Sequence, residues 1–265
     1  MQRFTDQQYL TNDQYKDSSN LDARIEIHKQ FSTNPYGWFN WIFDDLLKLP
    51  ADATVLELGC GTGEMWKQCA ARIPVDWNIT LTDLSDGMLD SAWRNLVVIG
   101  RGFKFEKMDA QSISYADKTF DAVIANHMLY HLPDRKQGLK EIKRILKDNG
   151  VLFATTVGKN HMQEMHGWIH RVSGGKQGMV TLSFTLENGK EQLQEFFPRV
   201  ELTRYPDGLR VTDTGMVIKY MRSMVSTGDL LDDELQFLEH ELAETMGKNG
   251  EISISKDSGL FIARK

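Results

Sequence analysis

Residues Val55–Gly63 read VLELGCGTG, an apolar run that passes straight into a bend of three glycines. A short apolar run of this kind reads as a buried strand. The glycines leave the backbone after it uncovered, so its N–H groups can approach a ligand closely. In open α/β sheets, ligands sit at this carboxyl end of the strands. The pattern then recurs. Ile79–Thr82 is an apolar run ended by Asp83, Phe103–Met108 alternates and leads to Asp109, Phe120–Ala125 leads to Asn126, and Val151–Val157 is a fifth run. Between them lie helical patterns: one through Ala71, one from about Ser85 to Leu96, and one opened by Asp134 and Gln137 in capping-box spacing. The last carries Leu139, Ile142, Ile145 and Leu146 on one face and is expected to stop at Asn149-Gly150. Strands alternating with helices predict βαβ units, a parallel sheet and helices on both of its faces.

The flanks read differently. Residues 1–20 are polar with isolated aromatics and are expected to form a flexible arm or lid. Residues 21–48 look helical with a break at Asn34-Pro35, and Trp38, Trp41, Ile42 and Leu46 fall at helical spacing. That helix packs on the sheet edge, or also roofs a pocket. Towards the end, Arg199–Tyr205 reads as a strand. Thr212 or Asp213 caps a helix carrying Val217, Tyr220, Met221 and Met224, and a further helix spans about Leu235–Met246. Ile252–Ser255 and Leu260–Ala263 flank Lys256-Asp257-Ser258-Gly259, a hairpin signal. No repeat or Pro/Gly/Ser-rich linker divides the chain. One domain is expected: arm and lid helices over 1–48, a ligand-binding core over 49–158, and an acceptor-side lid, helical insert and final strands over 159–265.

Composition narrows the partners. The 265 residues carry a net charge of −6, which disfavours phosphate-rich partners such as nucleic acid. No stretch approaches the roughly 20 apolar residues of a membrane span, and the first residues lack the apolar centre of a signal peptide. Cys60 and Cys69 are too few for a disulfide framework, and free thiols fit a cytoplasmic protein.

Four polar side chains, Glu57, Asp83, Asp109 and Asn126, end or precede the ends of four predicted strands. One alternative is that they merely cap helices. The other is a nucleoside site, with Asp83 accepting from ribose hydroxyls and Asp109 from an adenine amino group. A dinucleotide fingerprint wants glycines at 59, 61 and 64, but position 64 is Glu, whose charge opposes a pyrophosphate. The phosphate-loop pattern fails as well, since no Gly-Lys-Ser/Thr follows the bend.

VLELGCGTG, the acid of LTDLS, Met108-Asp109-Ala110, and FDAVIANHMLYHL leading to LKEIKRILKDNGVL together resemble the class I S-adenosylmethionine-dependent methyltransferases. The resemblance covers about residues 50–157 and is strongest to the small-molecule branch that includes quinone-biosynthesis enzymes. It implies a Rossmann-like, doubly wound α/β fold: a mostly parallel seven-stranded sheet with an antiparallel last strand, N-terminal helices and a helical insert near the C-terminus. It also implies a cofactor site for S-adenosyl-L-methionine. Gly59, Cys60, Gly61 and Gly63 would receive its methionine part, Glu57 would face its ammonium, and Asp83 would take the ribose. Leu84 and Met88 would sandwich adenine, Asp109 and the Ala110 backbone would read it, and Asn126 would stand beside the sulfonium. This cofactor carries a cationic sulfonium, an ammonium and no phosphate, which suits a site of carboxylates without nearby Lys or Arg.

His127 and His131 follow the fourth run and are candidate general bases, with a packing role as the alternative for His131. His161, His166 and His170 could suggest a metal, yet no acidic or Cys ligand completes a set, so none is expected. Tyr9, Tyr15 and Arg24 could close over the cofactor, Arg24 towards its carboxylate. The expected function is methyl transfer to a small-molecule acceptor, apolar or aromatic. A non-catalytic S-adenosylmethionine-binding protein and an NAD-dependent oxidoreductase remain alternatives.

Overall fold

The computed structural model describes residues 2–173, 182–224 and 232–265. Seven strands form one sheet: β1 (Thr54–Leu58), β2 (Asn78–Asp83), β3 (Phe103–Lys107), β4 (Phe120–Asn126), β5 (Leu146–Val157), β6 (Arg199–Tyr205) and β9 (Ser258–Arg264). Two more, β7 (Gly208–Val211) and β8 (Ile252–Ser255), pair separately. The large sheet runs in the order β3-β2-β1-β4-β5-β9-β6. β1 to β5 are mutually parallel, and β9 is antiparallel to both of its neighbours. This is the doubly wound sheet with an antiparallel last strand that the motifs imply. Its order reverses between β1 and β4, where a ligand crevice is expected.

Side-chain alternation explains why β1 and β4 are largely apolar. Leu56, Leu58, Val123 and Ala125 face one side and pack with Leu139, Ile142 and Ile145 of α7 (Arg135–Ile145). Val55, Ala122 and Ile124 face the other and meet α4 (Trp38–Leu46), α5 (Glu64–Gln68) and α6 (Asp86–Leu96). A strand covered on both faces has no polar side to show. The remaining helices are α1 (Gln2–Thr5), α2 (Gln7–Tyr9), α3 (Ser19–Phe31), α8 (Gln163–Val172), α9 (Gly189–Gln194), α10 (Thr214–Arg222) and α11 (Asp232–Asn249). α3, α8, α10 and α11 build a further apolar cluster with β7 and β8, centred on Ile27, Met165, Val217, Met221, Leu238 and Ile254. Asp213, one of the two expected caps, accepts from the Gly215 N–H at the start of α10.

Two local expectations are corrected. The helix after Asp134 ends at Ile145, and Leu146 opens β5 by pairing with Phe120. A register shift then brings Val151 opposite Ala122, so Lys147–Gly150 is a bulged strand segment and not a helical turn. The segments around Lys256–Gly259 are no hairpin: β8 pairs with β7, and β9 crosses to β5 and β6. Asp257 explains the crossing, since its carbonyl accepts from the Gly158 N–H and its N–H donates to His161. The N-terminal segment is helical over Gln2–Thr5, Gln7–Tyr9 and Leu10–Gln14, and it hydrogen-bonds the sheet end through Gln7 to Asp109 and Phe4 to His131. No helix among the described residues is long and apolar enough to cross a membrane.

Candidate active site at the carboxyl ends of the strands

The glycine bend holds its shape by its own backbone. Cys60 N–H donates to the Thr82 carbonyl at 2.8 Å, and Gly63 N–H donates to the Cys60 carbonyl at 3.0 Å. Gly61 and Gly63 sit at φ of 55° and 71°, in the left-handed region where other residues are strained. Asp83 ties this bend to the next strand. One carboxylate oxygen accepts from Gly61 N–H at 3.0 Å, the other from Ser85 N–H at 2.9 Å. Ser85 in turn caps α6 through Met88 N–H. Burial raises the Asp83 carboxyl above its ordinary range, against the pull of those backbone donors.

Glu57 lies beneath the bend and is 2% exposed. It accepts from Trp66 Nε1–H at 2.5 Å and from the Asn126 amide at 2.9 Å. Burial dominates and pushes its pKa up to about 8, the two donors opposing and the Asp83 charge assisting. Asn126 is held on its other side by the Thr155 hydroxyl at 3.3 Å. Thr155 also accepts from His127 N–H at 3.0 Å. That contact turns His127 to φ 49°, a left-handed conformation rare for a non-glycine. The His127 ring then packs 5.6 Å from Trp38, and burial lowers its pKa to about 4.

Asp109 accepts from Gln111 N–H at 2.9 Å and from the Gln7 side chain at 3.0 Å. These donors hold its carboxyl below the usual range although burial alone would raise it. Both ring nitrogens of His131 are engaged. Nδ1 lies 2.8 Å from the Phe4 carbonyl, which only accepts, so Nδ1 carries the proton. Nε2 then accepts from the Tyr15 hydroxyl at 3.3 Å. His131 therefore joins the N-terminal segment to the sheet end.

The sheet end opens onto one cavity of about 710 Å³, within the roughly 300–1,000 Å³ common for small-ligand sites. Glu57, Gly59, Cys60, Gly61, Asp83, Leu84, Met88, Asp109, Ala110, Asn126, His127 and His131 all contribute to its wall. Gly63 lies outside that wall and shapes the bend from behind, packed against Leu96. Trp38 and Phe39 line the cavity while Ile42, Phe43 and Leu46 are in the core, so α4 serves both sheet and pocket. His161 and His166 reach the wall. Among the described residues no group of three His, Cys, Asp or Glu is arranged to hold a metal. Burial keeps the Cys60 thiol well above its ordinary pKa, so it is no nucleophile.

Reading the sequence did not single out His28, Tyr130, Lys256 or the Asp207 that pairs with Lys256. His28 follows Arg24 by four residues on a helix, a spacing that places both on one face. Nothing in the spacing of Lys256 or Asp207 reveals that the two pair and that Lys256 reaches the cavity wall.

Residues 56–154 match the family model described as "Methyltransferase domain". Over that stretch the chain is similar to methyltransferase domains, and the sheet order around it is of the class I type. A demethylmenaquinone methyltransferase from Lactobacillus johnsonii is 31% identical over 143 residues, 51% of this chain and 58% of that protein. A bifunctional biotin biosynthesis protein from Bordetella avium is 32% identical over 121 residues, 45% of this chain. The chain spans only 25% and 58% of the lengths of these two relatives. In fold, the domain resembles a Haemonchus contortus phosphoethanolamine N-methyltransferase solved with phosphomonomethylethanolamine and S-adenosylhomocysteine. That likeness has a TM-score of 0.59 at 20% identity, covering 99% of this chain and 60% of the other.

Proposed function

We propose that the protein transfers a methyl group from S-adenosylmethionine to a small-molecule acceptor. The observation that carries this reading is the ring of carboxylates, Glu57, Asp83 and Asp109, that shares one cavity wall with the glycine bend. No Lys or Arg is hydrogen-bonded to any of the three among the described residues. Such a wall suits a cationic nucleoside and opposes a pyrophosphate.

In this reading the bend of Gly59, Gly61 and Gly63 cradles the methionine part, and Glu57 serves the ammonium. Asp83 retains free lone pairs for ribose hydroxyls. Leu84 and Met88 flank the adenine, which Asp109 and the Ala110 backbone recognise. Asn126, fixed between Glu57 and Thr155, stands at the sulfonium side. Arg24 Nη2 is buried without a hydrogen-bond partner on the same wall and suits the cofactor carboxylate. The N-terminal segment closes over this half through Gln7 and Tyr15.

When bound, S-adenosylmethionine supplies an electrophilic methyl carbon and a leaving group that departs neutral. The residues then act chiefly by alignment, which can contribute roughly 7–11 kcal/mol. His127, neutral through burial, can take a proton from an acidic acceptor, an effect typically worth 10²–10⁴-fold. His131, with both nitrogens engaged, holds the N-terminal segment instead. The lone buried thiols Cys60 and Cys69 and the acidic charge fit a cytoplasmic enzyme that does not bind nucleic acid.

The test is calorimetry with S-adenosylmethionine and NAD side by side, followed by assay of S-adenosylhomocysteine release against an acceptor panel. Tight S-adenosylmethionine binding with turnover is expected. Binding without turnover on any acceptor returns the non-catalytic alternative, and binding of NAD alone overturns the reading.

A further inference from the structure

Helix α3 runs along the whole cavity. Leu21 touches the glycine bend, with its Cδ2 3.0 Å from where a Cβ on Gly61 would lie. Arg24, His28 and Ser32 follow on the same face and also line the cavity. At about 1.5 Å per residue, Ser32 lies roughly 16 Å beyond Leu21. The charge of the wall changes along this line. Its carboxylates are Glu57, Glu64, Asp83 and Asp109, all on the cofactor half. The far end instead presents Lys256 and the imidazoles of His28 and His161.

Lys256 is unusual in this setting. Its side chain is 7% exposed, and its ammonium pairs with Asp207, which is 0% exposed. Asp207 also accepts from the Ser32 and Thr33 hydroxyls and from the Asn34 and Gly208 N–H groups. Its negative charge is therefore shared among five donors. An ammonium has three donors, and Asp207 is the one acceptor Lys256 reaches among the described residues. His28 makes no hydrogen bond through its ring among the described residues, and its Nδ1 is buried without a partner. A buried ammonium with spare donors beside an unpartnered imidazole lacks an acceptor, a costly arrangement unless a ligand supplies one.

We propose that the methyl acceptor carries an oxyanion, a carboxylate or a phosphate, received by Lys256 and His28 at the end of the cavity remote from the glycine bend. This rests on the methyltransferase reading and narrows its substrate class. The apolar wall of Trp38, Phe39 and Met162 then holds the body of the acceptor, and the anionic end fixes which atom faces Asn126 and His127.

The probes are inorganic phosphate and benzoate, each titrated calorimetrically into protein saturated with S-adenosylhomocysteine. At least one is expected to bind saturably, and which one separates a phosphate from a carboxylate acceptor. Lys256→Gln alone strands Asp207, so the paired variant Lys256→Gln with Asp207→Asn is measured beside it and beside His28→Phe. Each is expected to weaken oxyanion binding at least tenfold while S-adenosylhomocysteine affinity stays unchanged. Absence of saturable oxyanion binding, or binding indifferent to these variants, overturns the proposal. Failure of the wild-type protein to bind S-adenosylhomocysteine sinks the underlying reading instead.

Discussion

Gly87, near the start of α6, lies so close to the Lys16 carbonyl that a Cβ built on it would sit 1.9 Å from that oxygen. The N-terminal segment is thus seated on α6 by the absence of a side chain. The Ser85 hydroxyl, donating to the Tyr15 carbonyl at 2.7 Å, fixes the same contact from one residue away along the segment. Gly→Ala in a helix ordinarily stabilises by about 0.5–1 kcal/mol. Here the methyl group has backbone to displace. Gly87→Ala is expected to release the segment before Ser19, shown by faster proteolysis there, and to weaken S-adenosylmethionine binding about tenfold or more. Sheet unfolding should shift little. If affinity is unaffected while proteolysis accelerates, the segment is no lid.

Glu57 predicts a proton coupled to cofactor binding. Its pKa is pushed up to about 8 by burial, so it is largely protonated at neutral pH before a cation arrives. A bound ammonium nearby favours the ionised form. Binding should therefore release a proton, and affinity should rise with pH up to about 8, by at most tenfold per unit. Calorimetry at pH 7 in buffers of different ionisation enthalpy measures the release. Glu57→Gln should abolish it, and an unchanged release in that variant would place the proton elsewhere.

The parallel strands were legible because the central ones are largely apolar on both faces and β3 alternates, each run leading to a polar residue near its tip. The same signal located Glu57, Asp83, Asp109 and Asn126. What the sequence concealed depends on contacts distant along the chain. Lys147–Gly150 looks helical by local spacing, and only pairing with β4 draws Leu146 into a strand. Lys256-Asp257-Ser258-Gly259 has hairpin chemistry, yet its backbone bonds to Gly158 and His161, and the strands on either side join different sheets. His131 could be recognised as important from its place after β4, but not that Phe4 and Tyr15 would engage both its nitrogens.

Asp83 couples recognition to the shape of the bend, so its variants should affect both. Asp83→Ala removes the acceptor of Gly61 N–H and Ser85 N–H, at a cost of about 1–3 kcal/mol for each buried donor left unpaired. S-adenosylmethionine affinity is expected to fall more than about 100-fold, with a melting temperature lower by several degrees but cooperative unfolding retained. Gly61→Val should weaken binding comparably by another route. Its φ of 55° strains a β-branched residue, and its Cβ would press on Leu21 at 3.0 Å. Native affinity in either variant contradicts the assigned pose.

The buried titratable groups predict a stability optimum close to neutral pH. His127, His131 and His161 have pKa values lowered to about 4, about 4 and about 3, burial being the largest cause in each. In the unfolded chain a histidine titrates near 6.5. As pH falls below about 6.5 the unfolded state takes up protons the folded state refuses, so stability present above that pH is lost towards pH 4. Glu57 works in the opposite sense. Its folded pKa of about 8 lies above the usual carboxylate value, so the folded state keeps a proton the unfolded state has released, and stability declines from about pH 4.5 to 8. Below pH 6.5 three histidines outweigh one carboxyl, a net slope of about 2–3 kcal/mol per pH unit; above it the carboxyl acts alone with the opposite sign. His28, also held well below its ordinary value by burial, steepens the acid side, and Asp83, raised by burial, adds to Glu57. Thermal unfolding followed from about pH 5 to 9 should therefore peak between about 6.5 and 7. Glu57→Gln should flatten the alkaline limb and His131→Gln should soften the acid one. A melting temperature that climbs steadily as pH falls from 7 to 5 would mean that these imidazoles are not buried as neutral groups.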